Sequence, residues 1–415
     1  MRELPVCDAI GYHPDVLDAQ WPSTDHLLSD VSLEVVSAEG AAADLSGRLS
    51  MRGLDAVRAS GYLGAPIPVE FEGRGAALLD CAALQRRLGR ADAGLAIALN
   101  MHLFSVGVIV EHWREERDQS WLLLEAIASQ NRIVASAFAE PGLSGSILRS
   151  NMTSRREGGG FVVSGTKVPC SLAAISDLVC LQFEANEEAR RNLLIALVPS
   201  AMDGLRVEET WQALGMRASA SDTLHIESAF IPDDLVFHRC APGFDDDPVF
   251  AAGLCWFAVT TVATYLGVAQ AALDAAVASL APDGRLRPSR RGSNAVVQAQ
   301  VGEAVALLAA LTEAVTGLAA RIDGRAQDLR SVLPVALAVR DRSVPAVLGA
   351  IGLLLEASGG GAYRSPGVIE RSLRDAEAIR FHPPIPIAVR QILGRLVLGQ
   401  PFTFDLEAAH VVEEG

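Results

Sequence analysis

The sequence predicts an α+β chain of three consecutive parts: an N-terminal helical domain (1–130), a central β-domain (131–242) and a C-terminal helical bundle (243–415). Three observations predict it. Ala- and Leu-rich stretches with helical spacing fill the first part. Short apolar or alternating runs, punctuated by glycine, fill the second. Long charge-poor runs return after about residue 250. Helices, then strands, then helices describe an α+β architecture and not a doubly wound sheet.

In the first part, Leu84, Leu88, Ala91 and Leu95 recur at helical spacing, and 82–100 is rich in strong helix formers. The helix is expected to continue through Met101-His102-Leu103-Phe104, with another near Trp121 to Ala128. In the second part, strands are expected at 133–138, 161–167, 177–183, 193–199 and 223–227. Gly158, Gly159 and Gly160 supply a turn before the second of these. The close spacing suggests a compact, mainly antiparallel and barrel-like domain. Asp245-Asp246-Asp247-Pro248 reads as a linker. Helices are then expected over 251–281, 295–322, 331–358 and 386–398, broken at Pro282-Asp283-Gly284 and Gly359-Gly360-Gly361.

A chain of 415 residues, half of them apolar and 20% charged, is long enough for two or three cores. Its net charge of -15 argues against a nucleic-acid partner, which needs a basic face. The six cysteines show no regular spacing and read as reduced thiols of a cytoplasmic protein. The stretch 251–273 has no charged residue and is long enough to span a bilayer. Its threonines and its acidic flanks favour a bundle helix buried on all sides, so no membrane partner is expected.

Several runs combine glycine with hydroxyl residues. Ala139-Glu140-Pro141-Gly142-Leu143-Ser144-Gly145-Ser146 follows a strand, where its amides and hydroxyls suit a bound cofactor; a plain glycine turn is the other reading. Gly165-Thr166-Lys167-Val168-Pro169-Cys170-Ser171 and Leu214-Gly215-Met216-Arg217-Ala218-Ser219-Ala220-Ser221 come later, then Ser358-Gly359-Gly360-Gly361-Ala362-Tyr363. Arg374-Asp375-Ala376 leads into Ile379-Arg380-Phe381-His382-Pro383-Pro384. No metal-ligand spacing is found: Glu111-His112-Trp113-Arg114-Glu115-Glu116 lacks the helical His/Glu pattern and reads as a solvated helix end. No nucleophile elbow, dinucleotide fingerprint or phosphate loop occurs.

In this order and separation, the runs resemble the signature elements of the acyl-CoA dehydrogenase superfamily. The resemblance covers nearly the whole chain and implies that family's fold, a flavin cofactor and assembly as a homotetramer, a dimer of dimers. It implies cofactor contacts from Gly145, Ser146, Ser171, Gly359, Gly360 and Gly361. The family's Arg-x-Gln-Phe-Gly, which holds the cofactor pyrophosphate of a neighbouring subunit, is not legible; Arg290 is the candidate for part of that work, with Arg287 and Arg291 as alternatives.

The departures narrow the chemistry. Many dehydrogenases of the family carry a catalytic Glu where this chain has Pro383, and a proline side chain accepts no proton. A second subgroup places its Glu near the position of Phe257, where no acid occurs either. The Cys170-Ser171 pair and His382 look like the reduced-flavin monooxygenase branch, which includes dibenzothiophene and hydroxyphenylacetate oxygenases. That likeness implies reduced FAD or FMN, supplied from bulk or by a separate flavin reductase, and dioxygen activated as a C4a-peroxide to oxidise a small-molecule substrate. His382 and His102, with an ordinary pKa near ~6.5, would manage protons at the flavin edge, with Ser171 beside them. His102 also reads as a hydrogen-bonded core histidine. The rivals are an acyl-thioester dehydrogenase with a relocated base and a non-catalytic relative.

Overall fold

The computed structural model describes residues 17–143, 147–187, 190–243, 246–281 and 289–400. Gly145 and Ser146 of the glycine–hydroxyl run lie outside them.

Among the described residues five α-helices come first: α1 (Asp30–Ser46), α2 (Met51–Ala59), α3 (Leu78–Ala91), α4 (Ala93–Glu116) and α5 (Trp121–Ser129). The first two start on serine caps, Ser29 and Ser50, whose hydroxyls accept from the amides of Ser32 and Gly53. The sequence pattern runs straight through residue 92, but the structure breaks there. Asp92 is extended (φ -151, ψ 110), and its carboxylate accepts from Gly94 N and Leu95 N, starting a new helix. Apolar spacing alone does not register such a cap.

Eight strands follow: β1 (Val134–Ala137), β2 (Thr153–Glu157), β3 (Gly160–Ser171), β4 (Leu178–Glu187), β5 (Arg190–Pro199), β6 (Leu205–Glu208), β7 (Ser221–Pro232) and β8 (Val236–Cys240). They form two four-stranded sheets, ordered β1-β4-β5-β8 and β2-β3-β7-β6, where a barrel-like closure was expected. All pairs are antiparallel except β1 with β4. Strands β2 and β6 escape the sequence pattern because they are short and largely exposed or charged, and β8 because it is short and carries no alternating pattern.

The C-terminal part holds three long helices, α6 (Pro248–Leu280), α7 (Ala295–Asp323) and α8 (Leu329–Ser358), and two short ones, α9 (Val368–Glu377) and α10 (Pro386–Val397). The expected linker is instead the start of α6: Asp247 caps it through Phe250 N, and Pro248 takes the first turn, where no amide is needed. α4, α6 and α7 are long and apolar enough to cross a membrane, yet the most apolar window of α6 is wholly buried within the protein. α3, α4, α8 and α9 pack around it. Against α3 the approach needs glycine: a Cβ at Gly267 would collide with the carbonyl oxygen of Arg86.

Inside the β-domain, Lys167 on β3 is fully buried and its Nζ lies 2.6 Å from Glu140 Oε1. Glu140 also accepts from Ser150 Oγ (2.6 Å) and Asn151 N (2.7 Å). The two glycine-containing runs thus hold each other, and their charged members are structural.

Candidate active site

One pocket gathers most of the motifs. α4 contributes Ile97, Met101 and Phe104, and α6 contributes Phe257. Ser136 and Phe138 come from β1 and its exit, and Pro169 and Ser171 from β3. Trp211, Met216, Ser219 and Ser221 come from the segment into β7; Ala378, His382 and Pro383 close the cavity after α9. Among the described lining residues none is Asp or Glu. Both positions where the family pattern led one to look for a base, Phe257 and Pro383, do face this cavity.

The polar side is a row of hydroxyls. Ser171 Oγ lies 2.8 Å from Ser221 Oγ, which lies 2.7 Å from Ser219 Oγ. The opposite side is aromatic, with Phe104 edge-on to both Phe138 and Phe257 (centroids 5.2 and 5.5 Å). Flat apolar walls with hydroxyls along one edge fit a planar, polar-rimmed ring system such as isoalloxazine.

Two distant motifs build one wall. Met216 N donates to Asp375 Oδ1 at 2.6 Å, and Arg374 bonds Asp44 Oδ2 (2.7 Å) and the Leu214 carbonyl (3.3 Å). Gly215 sits so close that a Cβ would strike the Arg374 carbonyl oxygen. Burial pushes Asp375 up to about 7, against the pull of the Met216 amide. The Arg-Asp pair therefore positions the turn that carries Ser219 and Ser221. Trp211 closes it by donating from Nε1 to the Met216 carbonyl (2.9 Å) and borders a wider cleft of about 800 Å³ that includes Arg48 and Arg217.

His382 lies where the sequence placed it, but in a different protonation regime. Its Nε2 is 2.7 Å from Tyr265 Oη. Burial, reinforced by the Arg340 charge, pushes its pKa down to about 3. The imidazole is neutral near pH 7, so it does not carry a proton there as imidazolium, contrary to the expectation from its ordinary pKa. Burial also raises Tyr265 well above its usual range. With Tyr265 O–H donating to Nε2, the ring is held as the Nδ1–H tautomer, a neutral donor. Arg340, itself buried, holds the segment by donating from Nη2 to the carbonyls of Ile379 (2.6 Å) and His382 (3.2 Å). Sequence reasoning missed Tyr265 and Arg340. The signal was a tyrosine two turns from Phe257 within the charge-free stretch 251–273, in a chain with four tyrosines.

His102 is a correction. It is fully buried outside the cavity lining, with Nε2 2.9 Å from the Leu63 carbonyl and Nδ1 accepting from Val134 N at 3.0 Å. Both nitrogens are committed to backbone, so it staples α4 to β1 and does no chemistry. Burial chiefly drives its pKa down to about 4. Because the folded state resists a proton that the unfolded chain accepts below about pH 6.5, stability is full above that value and falls as pH approaches 4. This group alone is expected to remove on the order of 3 kcal/mol. Urea midpoints should drop over that window, and His102→Leu, though less stable, should show a flatter slope; an unchanged slope contradicts the assignment.

Arg290, Gly359, Gly360 and Gly361 are not brought to this cavity. Arg290, Gly360 and Gly361 are exposed. Gly359 ends α8 with φ +83, and the neighbouring Arg291 caps that helix by donating to the carbonyls of Glu356 (2.7 Å) and Ala357 (2.6 Å). A glycine run after a helix marks its end as readily as a ligand contact.

Residues 31–129, 135–229 and 259–385 match the family models for the N-terminal, middle and C-terminal domains of acyl-CoA dehydrogenase. The amino sugar nitrososynthase DnmZ of Streptomyces peucetius is 28% identical over 91% of this chain and 95% of its own length. Isobutylamine N-hydroxylase of Streptomyces viridifaciens is 27% identical over 52% of this chain and 59% of its own length. Among solved structures, KijD3 in complex with FMN and dTDP-3-amino-2,3,6-trideoxy-4-keto-3-methyl-D-glucose has a TM-score of 0.83 at 25% identity, covering 94% of this chain and 98% of that one. FMN-bound TdsC from Paenibacillus sp. A11-2 shares the fold, with a TM-score of 0.79 at 20% identity over 91% of this chain and 98% of its own.

Proposed function

This chain belongs to the acyl-CoA dehydrogenase family, and from that we propose that it is a flavin-dependent monooxygenase that oxidises the nitrogen of a small amine. The observation that carries the reading is the cavity itself: the family's site, with Phe257 and Pro383 in it and no carboxylate among its described lining residues. Removal of an α-proton from a thioester needs a base that these residues do not supply.

Ser171, Ser219 and Ser221 would bond the polar rim of the flavin, and Trp211, Phe104 and Phe138 would flank its apolar parts. When bound and reduced, the flavin supplies two electrons to dioxygen, so that one oxygen atom reaches the substrate and the other leaves as water. The chain's own residues set the conditions. Its apolar walls exclude water. The neutral His382, held by Tyr265, offers a hydrogen-bond donor without a charge. A cavity without a carboxylate also disfavours the ammonium form of an amine and favours the free base, the form that carries the nucleophilic lone pair. The N-hydroxylase and nitrososynthase relatives support nitrogen as the target. The flavin is supplied reduced by a separate reductase, and the protein assembles as a homotetramer.

The experiment is turnover with reduced FMN or FAD under isotopically labelled dioxygen, with a panel of primary amines and aminosugars. One labelled oxygen atom per product nitrogen oxidation is expected. Oxidised product without label contradicts the reading.

A further inference from the structure

Away from the cavity, four side chains from different parts of the fold stand in a row. Asp118 Oδ2 lies 3.1 Å from His112 Nε2, near the end of α4. His112 Nδ1 lies 3.1 Å from His238 Nδ1 on β8. His238 Nε2 lies 3.1 Å from Oδ2 of Asp247, the cap of α6. Both histidines are buried, contrary to the solvated helix end expected around His112. Cys240, two residues beyond His238 on the same face of β8, joins them: ligand atoms of His238, Cys240 and Asp247 all lie within 4.8 Å of one another.

The row is joined by three contacts of 3.1 Å. Three contacts need three protons, and two neutral imidazoles carry two. The third would have to make one imidazole cationic or one carboxyl neutral.

We propose that His238 Nε2, Cys240 Sγ and Asp247 Oδ2 form a binding site for one divalent cation of the zinc class, at the junction of the three domains. The cation takes the place of a proton between His238 Nε2 and Asp247 Oδ2. His238 presents its Nε2 lone pair to the metal and donates from Nδ1–H to His112 Nδ1; His112 donates from Nε2–H to Asp118. Every contact is then satisfied, and His112 and Asp118 orient the ligand from behind, as partners of metal-bound imidazoles do. The separation of Nε2 and Oδ2 suits two bonds of about 2.0–2.1 Å at a near-right angle. Asp247 Oδ1 stays free to cap α6 through Phe250 N. Cys240 gives up its proton on binding. One His, one Cys and one carboxylate favour zinc or cobalt over calcium or magnesium. The sequence hides the site because its members are scattered from residue 112 to residue 247.

The full chain, treated with chelator and dialysed, is titrated with Co²⁺ and followed by absorption. One ion per chain is expected, with a thiolate-to-cobalt charge-transfer band. Cys240→Ser should abolish the band. His112→Phe should keep it and weaken affinity by about 10–100-fold. Zn²⁺ should raise the melting midpoint of the wild type but not of Cys240→Ser. Should Cys240→Ser fold poorly, Asp247→Asn, which keeps an acceptor for the helix cap, should bind more weakly with the band retained. Absence of the band in the wild type, or its survival in Cys240→Ser, overturns the proposal.

Discussion

Lys167→Met is expected to destabilise the protein by about 3–5 kcal/mol, the cost of leaving a buried charge without its partner. The side chain removed is fully buried, and it faces Glu140 at 2.6 Å. Truncation strands a carboxylate where water cannot solvate it. Ser150 Oγ and Asn151 N still donate to Glu140, but neither supplies a positive charge. Glu140 follows Phe138 and Ala139, which line the cavity, so weaker flavin binding should accompany the loss. The double variant Lys167→Met/Glu140→Gln removes the stranded charge and keeps an acceptor for the amide and the hydroxyl. It should recover much of the stability in urea or thermal melts. Equal losses in the single and double variants would mean that packing, not charge, is what Lys167 contributes.

His382→Ala should cut coupled product formation by about 10²-fold or more, the size expected for a positioned proton-donor group. Flavin binding should hold, because the serine row and Trp211 are untouched. Reduced flavin should still be consumed, with its electrons leaving as hydrogen peroxide. Tyr265→Phe removes the partner 2.7 Å from Nε2 and frees the tautomer, so it should lie between wild type and His382→Ala. Because His382 titrates only at about 3, the coupling ratio should be flat between pH 5 and 9 as far as this residue is concerned. A kinetic pKa near 6.5 that disappears in His382→Ala would contradict the neutral-donor role, as would unchanged coupling in that variant.

The three-part architecture was legible because long apolar helices and glycine-punctuated strands have different periods. The cavity was legible in part. Ser171, Phe257, His382 and Pro383 sit in runs whose order is distinctive, and the fold brings them to one place. What failed has physical reasons. His102 lies in a run that looks like a functional one, but only the fold shows both of its nitrogens spent on the Leu63 and Val134 backbone. Gly359 ends α8 and Gly360 opens a short 3-10 turn, and none of the three glycines lines the cavity of its own chain. Tyr265 and Arg340 act through contacts with a segment more than thirty residues further along, and no local pattern encodes those.

On the proposed function, this cavity serves dioxygen and not carbon-acid oxidation. This is tested most directly by loading the protein with oxidised flavin and mixing it, without oxygen, with a panel of acyl thioesters while visible absorbance is followed. The flavin is expected to stay oxidised with every thioester. Rapid bleaching by any of them would contradict that function, since a base able to take the α-proton would then have to reach the substrate.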